Sequence, residues 1–211
     1  LAVLLFRTFN PEFKTDRRIF WMFALSCIPA YLLSALWLKV PTWVYVLVVI
    51  ASVVQTIAWA MALKQFAQQY RLMYKQVAPI IRISLIVVAL ALCIKFILQL
   101  GSVIPSVSKL AFGFRPIIIA YLHLVLLGIM SVFLITYVAA KDYITLRQPA
   151  RAGFYLFLAG VYLNELVLGI QGVASFAYFR VPYVNEALFA CALLIFAAIV
   201  AMLVGQLKPK T

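Results

Sequence analysis

Six long apolar runs, separated by short polar links, dominate the pattern of hydrophobic and polar positions along the chain. Each run has the length of about 17–25 residues that a helix needs to cross a bilayer. The runs are too long for strands and lack period-two alternation, so we expect helices. The pattern therefore predicts an all-α fold, a polytopic transmembrane helix bundle. The predicted spans are Ile19–Leu38, Thr42–Leu63, Ile83–Leu100, Pro116–Ala139, Phe154–Phe176 and Pro182–Leu203.

The amino-acid composition is also typical of a membrane protein. Hydrophobic residues make up 67% of the chain and charged residues 11%, whereas soluble domains average about 45–50% and about 25%. The formal net charge is +13, but the basic residues lie in the links, where they meet anionic lipid headgroups. We therefore expect the lipid bilayer as a partner and do not expect nucleic acid.

The Lys and Arg residues predict which side of the membrane each link faces. Thirteen of the 18 fall in links on one side and four on the other, with Lys95 inside a span. Because positively charged links stay on the cytoplasmic side, both chain ends are expected there, in the inner membrane of a bacterium. The first group is Arg7, Lys14, Arg17, Arg18, Lys64, Arg71, Lys75, Arg82, Lys141, Arg147, Arg151, Lys208 and Lys210, and the second is Lys39, Lys109, Arg115 and Arg180.

No domain boundary interrupts the six spans, so residues 1–211 are expected to form a single transmembrane domain. The link Lys64–Arg82 is expected to extend the second helix. The apolar segment Leu1–Phe6 lacks the leading charges and the cleavage site of a signal peptide. Two interpretations of it stay open. It ends an earlier membrane helix, in which case the chain is a fragment of a longer protein, or it is an amphipathic segment on the membrane surface.

Glu165 lies in the middle of the fifth predicted span. A charged residue at that depth costs about 3 kcal/mol on insertion scales, which makes it a functional-site hypothesis. Its helix face also carries a tyrosine and two small residues that let a neighbouring helix approach closely. With Asn164 beside it, Glu165 either carries a proton or a cation, or braces helices through hydrogen bonds. The other residues of the face are Tyr162, Gly169 and Gly172.

Lys95 lies in the third predicted span, near its outer end, and shares a helix face with Gln99 and Ser102. Its long side chain snorkels outward to the headgroups, pairs with Glu165 in the interior, or pairs with a group on a partner. Lys95, Glu165 and Asn164 are therefore the candidates for lining an ion or proton path.

His123 is the only histidine of the chain. It follows Arg115 by eight residues, which is about 12 Å along a helix. An imidazole at such a depth can ligate haem iron, relay protons or hydrogen-bond a neighbouring helix. These residues alone leave the three roles open.

The segment around His123, FRPIIIAYLHLVLLG over residues 114–128, resembles the tenth helix of subunit I of the haem–copper oxidases. That family carries an Ala-His-Phe-His motif there. Its first histidine ligates the high-spin haem and its second ligates the low-spin haem. Here Tyr121 stands in the first position and His123 in the second. The predicted topology agrees, since two further helices follow and His123 lies near the outer face.

The resemblance implies one low-spin haem, with His123 as an axial ligand and Arg115 and Arg180 at its propionates. Oxygen reduction is not implied, because Tyr121 replaces the high-spin ligand and no histidine pair for copper is present. The implied role is accessory service in a membrane redox complex, with other membrane subunits as partners. The chain would correspond to the later six of twelve helices.

Several chemistries have no residues to support them. The sequence has no phosphate-binding glycine loop, no GxSxG and no metal-ligand cluster, so we expect no catalytic activity of its own. Cys27, Cys93 and Cys191 fall inside predicted spans without CxxC spacing and are interpreted as packing residues. Two alternatives to the haem role stay open: a transporter or proton or ion carrier that uses Glu165, and a purely structural membrane subunit.

Overall fold

The computed structural model of the chain describes residues 2–36, 38, 40–74 and 76–207, and helices make up most of this part. No strand occurs among these residues. Six helical segments are long and apolar enough to cross a membrane, which confirms the predicted all-α polytopic bundle of an integral membrane protein. The six are Arg17–Ala35, Thr42–Leu72, Pro79–Gly101, Arg115–Ala140, Ala150–Phe176 and Val184–Leu207.

The described helices follow one another along the chain with short connections. Two of them continue directly into other helical forms: α2 passes into the 3-10 turn Leu32–Ala35, and α6 passes into the π-helix Leu124–Ser131, which leads into α7. The link before the fourth predicted span contains α5. The α-helices are α1 (Ala2–Phe9), α2 (Arg17–Tyr31), α3 (Thr42–Met73), α4 (Pro79–Gly101), α5 (Pro105–Gly113), α6 (Arg115–His123), α7 (Val132–Ala140), α8 (Ala150–Phe176) and α9 (Val184–Leu207).

Several helices extend beyond the apolar runs that predicted them. The predicted helical extension through Lys64–Arg82 is confirmed as far as Met73, where α3 ends, and α4 begins at Pro79. Hydropathy marks only the part of a helix that lies in hydrocarbon, whereas backbone hydrogen bonding continues into the headgroup region. The ends of the runs are therefore poor markers of the ends of the helices.

Some residues used in the sequence argument lie outside the described part of the chain. They include Leu1 of the apolar N-terminal segment and four of the lysines used to orient the links. The orientation of both chain ends therefore stays a prediction. The four lysines are Lys39, Lys75, Lys208 and Lys210.

The helices group into two compact units. The first contains α1, α2, α3, α5 and residues 92–101 of α4. The second contains residues 78–91, which include the first half of α4, together with α6, the π-helix, α7, α8 and α9. One continuous helix thus contributes to both units.

In the first unit an aromatic cluster holds α1 against the polar extension of α3. The rings of Phe6 and Phe66 are stacked with centroids 4.9 Å apart, and Phe13 contacts both rings at 5.6 and 6.2 Å. Arg7 Nε also donates to the carbonyl of Phe13 at 3.0 Å. The N-terminal segment is therefore packed on helix α3 within this unit.

In the second unit α8 and α9 pack through glycines that leave no room for a side chain. A Cβ on Gly153 would lie 2.8 Å from the carbonyl oxygen of Ala198 and from the backbone nitrogen of Met202. A Cβ on Gly205 would lie 2.5 Å from Cβ of Ala150, and one on Gly160 would lie 2.9 Å from the side chain of Ile195. Small residues of this kind let transmembrane helices approach closely.

The glycines predicted to make a close approach have a lesser role. A Cβ on Gly172 would lie 3.7 Å from Cα of Ile117, which is ordinary contact, and nothing lies within 4 Å of a Cβ on Gly169. The tight contact between α8 and α9 is therefore made through Gly153 and Gly160, nearer the N-terminal end of α8 than Gly169 and Gly172.

Candidate functional site

A π-helix follows His123 directly, in a span that the sequence predicts as ordinary α-helix. It covers Leu124–Ser131, and the hydroxyl of Ser131 donates to the carbonyl of Leu126, five residues earlier, at 2.9 Å. Segments of π-helix are rare and occur frequently at functional sites, because the wider turn displaces side chains and frees carbonyl groups. This segment is the centre of the candidate site.

Side chains of α8 cover the π-helix. The hydroxyl of Tyr162 donates to the carbonyl of Gly128 at 2.9 Å. Glu165 lies one turn further along α8, and a Cβ on Gly128 would come within 3.7 Å of its Cγ. The absence of a side chain at Gly128 therefore leaves space beside the carboxyl group.

Glu165 and Asn164 carry polar atoms without hydrogen-bond partners. Asn164 is buried, with 8% of its surface exposed, and it lies close to the carboxyl group of Glu165. Even so, its Nδ2 atom and Oε1 of Glu165 are inaccessible to solvent and reach hydrogen-bond geometry with no described residue. Unsatisfied polar atoms cost about 1–3 kcal/mol each. Oε1 of Glu165 is therefore suited to a proton or a bound cation, whereas Nδ2 of Asn164 can only donate a hydrogen bond.

His123 is oriented by its own helix. Its Nδ1 lies 2.9 Å from the carbonyl oxygen of Ile119, and since a carbonyl only accepts, Nδ1 carries the proton in this bond. In the neutral ring the lone pair is therefore on Nε2. The side chain is exposed, and it lies within electrostatic range of Glu165.

Arg115 and Arg180 lie at the same end of the second unit. Phe114, next to Arg115, contacts the rings of Phe176 and Tyr178 at 6.1 and 5.5 Å between centroids. This aromatic contact brings the start of α6 to the end of α8, and both arginines are exposed there. Arg115 precedes His123 by about 12 Å along the helix axis.

Lys95 belongs to the first unit, where it contacts Gln99 and Phe96. Its ammonium donates to Oε1 of Gln99 on the same helix and lies 4.0 Å from the centre of the Phe96 ring. Gln99 Nε2 in turn donates to Oε1 of Gln55 on α3 at 2.9 Å. The polar residues of α4 thus form a hydrogen-bonded chain that links α4 to α3.

The cysteines and acidic residues do not form a metal site. No group of three His, Cys, Asp or Glu side chains that could hold a metal ion occurs in the described ranges. The three cysteines are free thiols, and Sγ of Cys93 accepts a hydrogen bond from Trp59 Nε1 at 3.4 Å.

Replacing Tyr162 with phenylalanine is expected to lower the free energy of unfolding by about 1–2 kcal/mol. The change removes the hydrogen bond to Gly128 and leaves that carbonyl short of a donor in a low-dielectric interior. Unfolding by sodium dodecyl sulfate in mixed micelles measures the effect. The matched control is Tyr155→Phe on the exposed face of the same helix, and equal stability of the two variants would contradict the prediction.

Comparisons with protein-family models, with curated proteins and with solved structures find no match for this chain. The function is therefore argued from the residues and geometry of the site, which is where function resides even in familiar folds.

Proposed function

We propose that this integral membrane protein binds one low-spin haem through His123 and serves a membrane redox complex without reducing oxygen itself. The observation that carries the proposal is the hydrogen bond from His123 Nδ1 to the carbonyl of Ile119. Metal-ligating histidines usually donate their other ring N–H in this way, which fixes the tautomer and the ring orientation. The Nε2 atom is left with a lone pair on an exposed face of the helix.

Arg115 and Arg180 suit the propionate groups at the edge of a haem. Haem carries two anionic propionates, and Arg115 and Arg180 supply guanidinium groups at one end of the unit that contains His123. Arg is well suited to carboxylates because it can donate two parallel hydrogen bonds. Bound haem would supply one-electron redox chemistry, tuned by its axial ligands and surroundings.

A six-coordinate haem needs a second axial ligand. The sequence contains a single histidine, so a second histidine ligand would come from outside these 211 residues, either from a further part of the same protein or from another polypeptide. The exposure of His123 leaves its face open to such a neighbour, which agrees with a role as one subunit of a membrane complex.

The first test is the reduced-minus-oxidised absorption spectrum of the protein, purified in detergent from haem-replete cells together with any subunits that remain bound. The proposal predicts sharp low-spin bands and haem in a ratio of about one per chain. Folded protein that contains no haem under these conditions would overturn the proposal.

A second candidate function is proton or cation movement through Glu165. It is favoured by one observation: Oε1 of Glu165 is buried and has no hydrogen-bond partner among the described residues. Ionisable residues inside membrane spans mark ion pathways and proton relays.

Replacing Glu165 with glutamine is expected to abolish proton or cation flux through the protein if this second function is correct. The amide keeps the shape of the side chain but does not take up or release a proton near neutral pH. Flux is measured in proteoliposomes with an internal pH-sensitive dye, with and without a sodium or potassium gradient. Glu186→Gln, at the exposed start of α9, is the matched control. Undiminished flux in Glu165→Gln would exclude the carboxylate as carrier.

A further inference from the structure

A long groove runs along α2 and α3 in the first unit. Its volume is about 710 Å³. Arg17, Arg18 and Trp21 line one end, Pro29 lies toward the other, and apolar side chains such as Leu25 and Ile50 form the walls between them. The groove is therefore basic at one end and apolar along the rest of its length.

The basic end is available to a ligand. Arg17 and Arg18 are exposed, and neither guanidinium group has a hydrogen bond or ion pair with the residues that the structure describes. The nearest acid in sequence, Asp16, uses its carboxylate to accept the backbone N–H of Arg18 at 2.9 Å. Lys14 adds a further positive charge to this segment, and Glu12 a further negative one.

The dimensions fit one acyl chain. Arg17 to Pro29 spans about 18 Å at about 1.5 Å per residue, and one leaflet of the hydrocarbon core is about 15 Å thick, half of about 30 Å. Trp21 lies one turn from the arginines, where amphipathic aromatic rings favour the headgroup level. An amphiphile with its head at Arg17 and Arg18 would therefore lie at the depth of a membrane phospholipid.

We propose that this groove binds an anionic phospholipid, with its phosphate on Arg17 and Arg18 and one acyl chain along α2 and α3. Arginine forms paired hydrogen bonds to phosphate oxygens. A zwitterionic lipid would fill the same apolar walls but would bring a cationic group to the arginines. The groove therefore selects for headgroups with net negative charge.

A second groove supplies an internal comparison. It lies in the second unit, has a volume of about 780 Å³, and is lined by Arg151, Gln148 and apolar residues that include Leu156. It offers a single basic side chain where the first groove offers two adjacent ones. Arg151→Gln is therefore a matched control that removes a basic residue from a groove of similar size.

The test is native mass spectrometry of the delipidated protein in detergent, titrated with phosphatidylglycerol or phosphatidylcholine of identical chains. The preference for phosphatidylglycerol is expected to fall on the order of 30-fold in Arg17→Gln/Arg18→Gln, equivalent to about 2 kcal/mol at about 1.4 kcal/mol per tenfold. In Arg151→Gln the preference is expected to persist. A preference unchanged in the double variant, or lost equally in the control, would overturn the proposal.

A second measurement is made on protein that keeps both Arg17 and Arg18, so the proposal can be tested even if the double variant does not fold. Phosphatidylglycerol brominated on its acyl chains is expected to quench the fluorescence of Trp21 more than brominated phosphatidylcholine, with the difference absent in Trp21→Phe. Inorganic phosphate is the headgroup control. If phosphate displaces the lipid at equal concentration, the acyl chain contributes nothing and the site is an anion site only, which contradicts the proposal.

Discussion

Replacing His123 with alanine is expected to remove the low-spin haem spectrum while the helices stay folded. The imidazole supplies the axial ligand in the proposed function, so its loss leaves the iron without that bond. The cost to folding is expected to stay within about 0.5 kcal/mol, as at other exposed positions, because the side chain is exposed and bonds only the carbonyl of Ile119 in its own helix. Absorption spectra and circular dichroism melting of the same samples separate the two effects.

Added imidazole distinguishes a ligand from a structural residue. In a His123→Gly variant, which leaves space at the same position, free imidazole is expected to restore the low-spin bands. Ser131→Ala, at the end of the π-helix that follows His123, is the control and should keep its haem without imidazole. Low-spin bands of normal intensity in His123→Ala would show that another residue ligates the iron.

Replacing Gly153 with alanine is expected to lower the free energy of unfolding by about 1–3 kcal/mol, the usual cost of overpacking. The added methyl group would meet the carbonyl of Ala198 and the backbone nitrogen of Met202 at 2.8 Å. Backbone atoms cannot move aside as a flexible side chain can. The two helices must therefore separate, and contacts along their shared face are weakened.

Gly169→Ala is the matched control for this prediction, since it makes the same change in the same helix. Nothing lies within 4 Å of the added methyl group, and alanine is the better helix former by up to about 1 kcal/mol. The control is thus expected to be neutral or stabilising. Denaturation by sodium dodecyl sulfate in mixed micelles measures both, and an equal stability of Gly153→Ala and Gly169→Ala would refute the proposed packing of α8 on α9.

The number and type of helices could be predicted from the sequence because a bilayer constrains them strongly. A span needs about 20 apolar residues and must satisfy its own backbone hydrogen bonds, so each apolar run corresponds to one membrane helix. The extension of α3 to Met73 was also predictable, because Phe66 and Tyr70 continue the apolar spacing beyond the lipid-facing part.

The contacts between helices could not be predicted in the same way. The sequence marks Gly153, Gly169 and Gly205 alike as small residues, but only the packing of the neighbouring helix decides which of them is close to backbone. The π-helix after His123 has no signal in the apolar residues Leu124–Met130, since they suit either helical form. Its recognition depends on the pattern of backbone hydrogen bonds, which join residues five apart in a π-helix.

In the candidate site, too, the residues could be predicted from the sequence but the contacts between them could not. Sequence reasoning identified His123, Glu165 and Asn164 from their chemical types, because polar groups are rare in membrane spans. It could not show that His123 and Glu165 lie within electrostatic range, or that Gln99 bonds Gln55 on α3. Those relations depend on how the helices are rotated against one another.

The most direct test of whether His123 ligates the haem iron uses the fact that the chain has a single histidine. Protein grown on nitrogen-15 histidine carries the label in one imidazole, and pulsed electron paramagnetic resonance of the ferric haem detects nitrogen bound to iron. Ligation of the iron by His123 predicts a nitrogen-15 hyperfine coupling when only this chain is labelled. Bound haem whose spectrum shows no coupling to the labelled histidine would contradict it.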